Sequence, residues 1–188
     1  MTVPFLVAPS PHYRESWLES LEEWGTRDQD GASVFLADRY GLNLHEIHGF
    51  NKWVDLLNNL ALETFQPLEG FSNQTSLWVV EGSTYLGAVS LRHALSNKYL
   101  ADVGGHVGYG IRPSARRRGS AKLALRGALD EARSLGLDRV LVTCLDSNLP
   151  SALTIESCGG ALESTRPAES FDPSFGVTEP VRRYWIPV

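Results

Sequence analysis

One stretch constrains this chain more than any other, residues 107 to 121, which read VGYGIRPSARRRGSA. Ahead of the loop lies a strand-like run, His106 to Ile111. Behind it, from Ser120 to Leu135, Ala121, Leu123, Ala124, Leu125, Ala128, Leu129, Ala132 and Leu135 recur as they do on an amphipathic helix. The loop between holds Pro113, three consecutive arginines (Arg116, Arg117, Arg118) and Gly119. A glycine turn that opens a helix gathers unpaired backbone N–H groups at the positive end of the helix dipole. Arginines beside such a turn point to a phosphate-bearing ligand. There is no Gly-Lys-Ser/Thr for a nucleotide triphosphate, and no Gly-x-Gly-x-x-Gly for a dinucleotide.

The remaining chain reads as alternating helices and strands. Phe5-Leu6-Val7 is a short strand, and Ser10-Pro11 opens a helix through about Trp24 with Tyr13, Trp17, Leu18, Leu21 and Trp24 on one face. Residues 25 to 33 form a polar loop. A second helix over about 49 to 63 carries Phe50, Trp53, Val54, Leu57, Leu60 and Ala61, a stripe that reads as core. Strands follow over 77 to 80 and 85 to 93 as a hairpin, then a loop from 96 to 105 and the strand before the arginine loop. Gly136 suits the end of the long helix. Residues 139 to 145 are apolar enough to be covered on both faces. A short helix spans 149 to 158, capped by Ser147 or Asn148, and strands over 161 to 165 and 181 to 186 close the chain. The expected order is β-α-α-β-β-β-α-β-α-β-β, with one right-handed strand–helix–strand crossover over 106 to 145. This is an α/β (α+β) fold with a mixed, mostly antiparallel sheet flanked by helices, read as a single domain over 1–188.

Arg116, Gly119 and Ala121 fit the pattern Arg/Gln-x-x-Gly-x-Gly/Ala, three residues after Pro113. This resembles the acyl-CoA pyrophosphate loop of the GNAT superfamily of N-acetyltransferases. A second block, Asn148-x-x-Ser151-x-x-x-Ile155-Glu156-x-Cys158-Gly159-Gly160, resembles that family's Asn-x-x-Ala-x-x-x-Tyr helix. The strand Gly-Tyr-Gly-Ile-Arg-Pro and the terminal Arg183-Tyr184-Trp185-Ile186 resemble a subgroup of predicted acetyltransferases within it. The resemblance implies a GNAT-type sheet and transfer of an acetyl group from acetyl-CoA, as co-substrate, to a primary amine. It implies that Arg116, Arg117, Arg118, Gly119, Ser120 and Ala121 hold the pyrophosphate. Ile111 and Arg112 would offer strand backbone to the pantetheine arm, with Asn148 and Ser151 at the thiolate. A departure stands at Ile155, where the family's proton-donating tyrosine is usual; Tyr109 and Tyr184 are the substitute donors available. That departure also favours the alternative of a non-catalytic acyl-CoA-binding module of the same fold.

For the base, side chains alternate along a strand, so His106, Gly108 and Gly110 share a face. Two glycines there would leave an open groove with His106 at its end. An imidazole with an ordinary pKa of ~6.5 can take a proton near neutrality; the competing reading is a structural histidine. His93 is a second, weaker candidate. Cys158 reads as a buried helix-end cysteine, and Glu81 and Asp146 as turn residues. The five histidines show no metal-ligand spacing, so no metal is expected. A formal net charge of −5 disfavours nucleic acid as a partner. Two cysteines without a CxxC pair fit a reducing, cytoplasmic setting, and neither a signal peptide nor a membrane span is expected. The expected partners are a small-molecule amine or a peptide acceptor, with a homodimer compatible.

Overall fold

In the computed structural model, which describes residues 3–26 and 29–188, one seven-stranded sheet carries the fold. Its strands are β1 (Phe5–Val7), β2 (Gln74–Glu81), β3 (Thr84–Arg92), β4 (Val107–Ile111), β5 (Arg139–Leu145), β6 (Ala161–Arg166) and β7 (Val181–Pro187). The spatial order is β1-β2-β3-β4-β5-β7-β6. Every pairing is antiparallel except β4 with β5, which is parallel. Five helices pack on it: α1 (Arg14–Trp24), α2 (Val34–Arg39), α3 (Ile47–Asn59), α4 (Ser120–Ser134) and α5 (Leu149–Ser157).

Two apolar layers, one on each face, hold the sheet. On one side Ala124, Leu125, Ala128 and Ala132 of α4 meet Val107, Ile111, Val140, Val142 and Tyr184, with Ala152 and Ile155 of α5. On the other, Trp17, Phe50, Trp53 and Trp78 interlock at ring-centroid distances of 5.1 to 6.2 Å, all fully buried. The aromatic stripes of α1 and α3 are therefore core, as their spacing predicts. Burying such rings stabilises through apolar area and edge-on packing together.

The expected elements appear with four differences. Residues 34–39 form a helix not foreseen, because six residues carry too little period to read; Val34, Leu36 and Ala37 are its buried face. The second predicted helix runs over 47–59 and not 49–63, ending at two asparagines of low helix propensity. β2 starts at Gln74, three residues early, since buried Gln74 and Ser76 disguise its inner face. Within the expected 96–105 loop, Leu100–Gly104 form a turn of π-helix. Gly136, in left-handed backbone (φ 74°), lies just beyond the C-cap Leu135 and lets Leu137 N–H reach the carbonyl of Ala132.

β7 differs in burial. It is an interior strand between β5 and β6, and Arg183 on it is only 8% exposed. Its guanidinium donates to the carbonyls of Ala101 (2.8 Å) and Asp102 (2.6 Å) and to Glu163 (2.7 Å), so it ties the π-turn to the sheet.

Candidate active site

β4 and β5 pair only where β4 begins, Val107 standing beside Val142 in the middle of β5. His106 clasps this end: its N–H donates to Leu141 O (2.7 Å), and its ring Nδ1 accepts from Leu141 N–H (2.9 Å). Beyond this clasp the strands diverge. Arg92 N–H bonds His106 O and Arg112 N–H bonds Leu86 O, so antiparallel alternation turns the N–H and C=O of Tyr109 and Ile111 away from β3, toward the gap. A cleft whose β4 wall is strand edge can add a further extended partner by main-chain pairing. Ile111 O already accepts from Arg116 Nε (3.0 Å). Tyr109 contributes open backbone not foreseen from the sequence; the signal is the same alternation, counted one pair earlier.

The floor of the cleft is closed by Tyr109 itself. Its hydroxyl meets Ser151 Oγ at 2.8 Å and Ser151 O at 3.3 Å, reaching from β4 to the first turn of α5. Burial pushes its pKa up to about 12, so the hydroxyl stays protonated at neutral pH. Ser151 is positioned by Asn148, the helix cap, whose side-chain oxygen accepts from Ser151 N–H (3.2 Å). Ile155 is fully buried in the core and faces no ligand space. Tyr184 is spent elsewhere, donating to Glu156 (3.0 Å). Cys158 is part-exposed and not buried; it and Cys144 are free thiols.

At the mouth of the cleft the chain enters α4 through left-handed backbone at Arg117 (φ 61°) and Gly119 (φ 83°). Gly119 is the N-cap, and the first helical bond runs from Leu123 N–H to Gly119 O. Among the described residues nothing accepts from the N–H groups of residues 117 to 122, so the helix start presents bare donors. A Cβ at Gly119 would meet no atom within 4 Å; the space in front of it is open. Ser120 is buried and its hydroxyl has no partner, leaving its backbone as the part facing the turn. Ala121 is partly buried against the α4 core.

The arginines divide. Arg116 is folded back over Trp24 (4.9 Å to the ring centroid) while bonding Ile111 O. Arg118 pairs with Glu81 (2.9 Å), so Glu81 is more than a turn residue. Asp146 likewise holds Arg182 at 2.6 Å. Arg112 corrects the sequence reading. Its guanidinium binds Glu23 of α1 (2.7 Å) and Tyr85 O (3.2 Å), and its own N–H and C=O serve Leu86 and Ala115. The Arg112 backbone is thus taken by its neighbours and not offered to the cleft; Glu23, which also accepts from Ser114 N–H and Oγ, fastens α1 to the loop.

The expected groove over Gly108 and Gly110 also differs. The chain around Gly31 (φ 77°) lies in that space: a Cβ on Gly110 would come 2.6 Å from Asp30 O, and one on Gly31 would come 2.5 Å from Gly108 O. The glycines permit backbone to press on backbone. His106 is 7% exposed, near Trp185 (centroids 6.1 Å), and burial, with Arg92 nearby, lowers its pKa to about 4. With Nδ1 accepting from an amide, a neutral ring carries its proton on Nε2 and has no lone pair to offer. These contacts give His106 the structural reading. His93, shifted down by burial, is bonded to Thr75 Oγ1 (2.9 Å).

Residues 20–161 match the family model described as an acetyltransferase (GNAT) domain. No sequence among the curated proteins matches the chain. Among solved structures of similar fold is the microcin C7 self-immunity acetyltransferase MccE in complex with acetyl-CoA and AMP, 16% identical, TM-score 0.67, with 98% of this chain and 92% of that one covered. The ribosomal L7/L12 alpha-N-protein acetyltransferase RimL in complex with coenzyme A is 15% identical, TM-score 0.64, covering 100% and 96%. A spermidine N-acetyltransferase SpeG chimera from Vibrio cholerae and hSSAT is 17% identical, TM-score 0.59, covering 98% and 95%. Among the described residues no group of side chains is placed to hold a metal ion, and no helix is long and apolar enough to cross a membrane.

Proposed function

The chain belongs to the GNAT acetyltransferase family, and from that premise we propose that it moves an acetyl group from acetyl-CoA directly to a primary amine of a small molecule or peptide. The observation that carries this reading is the junction of two unsatisfied surfaces. Bare N–H groups at the start of α4 adjoin a cleft lined by the strand edge of Tyr109 and Ile111, where only the Ile111 carbonyl already has a partner. The first suits a pyrophosphate, with Arg117 to add charge. The second suits the amide-bearing pantetheine arm, which would lie against β4 as an added strand and bring its thioester toward Tyr109.

In the transfer, the amine nitrogen attacks the thioester carbonyl; the C–N bond forms and the C–S bond breaks. The nitrogen loses two protons overall, one to solvent and one that ends on the sulfur. Tyr109 is the candidate catalytic residue. A phenol with a pKa about 12 is a weaker acid than a thiol at ~8.5. Its part is therefore to donate a hydrogen bond to the developing thiolate, with Ser151 orienting the hydroxyl, while water supplies the final proton. Water also takes the first proton, since His106 has no free lone pair.

The buried Ile155 favours one other reading, an acyl-CoA-binding module without chemistry. Calorimetry with CoA, followed by thiol release from acetyl-CoA over a panel of amines, tests both. CoA binding with amine-dependent thiol release supports the transferase; binding without turnover on any amine returns the module; no CoA binding overturns both.

A further inference from the structure

On the face of β3 and β4 away from α4, the segments 29–35 and 70–74 and the π-turn enclose a cavity of about 440 Å³. That is within the range of small-molecule sites. Ser90 and Arg92, two apart on β3, point to the same face and line it. Ser90 stands opposite Gly108 in the sheet register, one residue before Tyr109, so the cavity lies across β4 from the cleft. Phe35 and Phe71, stacked at 6.0 Å, stand at its side.

The charge inside this cavity is unusual. Arg92 donates through Nη1 to the carbonyls of Gly104 (3.2 Å) and Gly105 (3.3 Å). Desolvation disfavours the cation, and the more distant pull of Tyr99 and Asp30 offsets this only in part. A desolvated guanidinium is disfavoured unless something else meets it. Arg92 itself is part of the cavity lining. Two polar groups of the lining, Ser90 Oγ and Gln29 Nε2, are buried with no partner among the described residues. Buried polar atoms are ordinarily satisfied, so two such groups beside Arg92 in one cavity hold hydrogen-bonding capacity that the protein does not use. A guanidinium fork, an amide N–H and a hydroxyl together complement a planar anion with several lone pairs.

Resting on the acetyltransferase reading, we propose that the acceptor is a small amino-carboxylate of the amino-acid class, its carboxylate held by Arg92, Ser90 and Gln29 and its amine directed toward the thioester.

The test compares matched acceptors on the full chain: phenylalanine, phenylalaninamide and phenethylamine, with the same triplets built on leucine and glutamate. The carboxylate member should exceed its amide and its decarboxylated partner in kcat/KM by about 10²-fold or more, because a site built for hydrogen bonds rejects an analogue that leaves them unmade. Carboxylate members alone should raise the melting temperature without CoA present. Arg92→Lys and Ser90→Ala should each erase most of the preference while CoA affinity, read by calorimetry, is kept; Ser90→Ala guards against misfolding at Arg92. Amides or simple amines performing as well as the carboxylates, or stabilising equally, with CoA still bound, would overturn this inference and leave the acetyltransferase reading in place. Failure to bind CoA would overturn that reading and this one with it.

Discussion

The Tyr109 hydroxyl lies 2.8 Å from Ser151 Oγ, so a strand side chain and the first turn of a helix meet across the gap where β4 and β5 part. On the proposed reading this hydroxyl would stand by the developing thiolate, a route other than the tyrosine helix position, which Ile155 occupies. Tyr109→Phe should lower kcat by about 10²-fold, the usual effect of removing one donor aimed at developing negative charge. Its CoA affinity should be unchanged. Ser151→Ala, which only releases the hydroxyl's orientation, should cost less. Steady-state kinetics beside CoA calorimetry read both, and a Phe variant of full activity would remove Tyr109 from the mechanism.

His106 carries a different expectation. Its folded pKa is lowered to about 4, whereas a free imidazole titrates near ~6.5. Between those values the unfolded chain binds a proton that the folded one refuses. The stability the residue confers is therefore complete above about pH 6.5 and is lost as pH falls toward 4, by on the order of 3 kcal/mol at ~1.4 kcal/mol per pH unit. His106→Asn should flatten this fall, since the amide oxygen can still accept from Leu141 N–H but does not titrate. Urea melts at about pH 4.5, 5.5 and 7 decide it. The pH profile of kcat/KM should show no ionisation from His106; one that vanishes in the Asn variant would restore it as the base.

The C-terminal strand should prove indispensable. β7 pairs with β5 along its full length and with β6 on its other side, and Tyr184 and Ile186 are sealed in the α4 core. Removing residues 178 to 188 exposes an edge of β5 in mid-sheet, strips β6 of the strand it pairs with and frees the π-turn from Arg183. The truncated chain should be insoluble or should lose near-ultraviolet circular dichroism. A soluble truncation with a cooperative melt would show that the β1–β5 half stands alone.

How much of this is legible in the sequence follows from what each feature depends on. The strand–loop–helix unit of 106 to 135 and β5 are readable because periodicity and apolar runs are local. So is the Asn148 cap, a residue type that announces itself. Arg112 is misjudged because its backbone N–H is taken by Leu86 O of β3 and its carbonyl by Ala115 N–H, and which of two successive strand residues faces which neighbour depends on a register that spacing does not carry. The groove over Gly108 and Gly110 fails for a related reason. Strand glycines signal a close approach of something, and sequence does not say whether ligand or, as here, the backbone at Asp30 and Gly31. Arg183 shows the same limit in charge, since a buried arginine reads as a surface one until the carbonyls it serves are known.

Gly119 allows the sharpest separation of effects. Its backbone is left-handed (φ 83°), a conformation that costs any L-residue about 1 kcal/mol relative to glycine. Yet a Cβ there would meet nothing within 4 Å, so neither alanine nor glutamate is blocked by the protein itself. Gly119→Ala and Gly119→Glu should consequently share one modest loss of melting temperature, and differ in what they do to the ligand. Alanine should weaken CoA only slightly. Glutamate sets a carboxylate where the pyrophosphate would rest on the N–H groups of α4, and two anions at close range in a partly enclosed site repel strongly. The glutamate substitution should thus abolish CoA binding while leaving dephosphorylated pantetheine, which has no pyrophosphate, bound as weakly as in the parent. Calorimetry with both ligands on both variants distinguishes the cases. Equal weakening by alanine and glutamate would assign the residue to backbone geometry, and tight CoA binding by the glutamate variant would move the pyrophosphate away from α4 altogether.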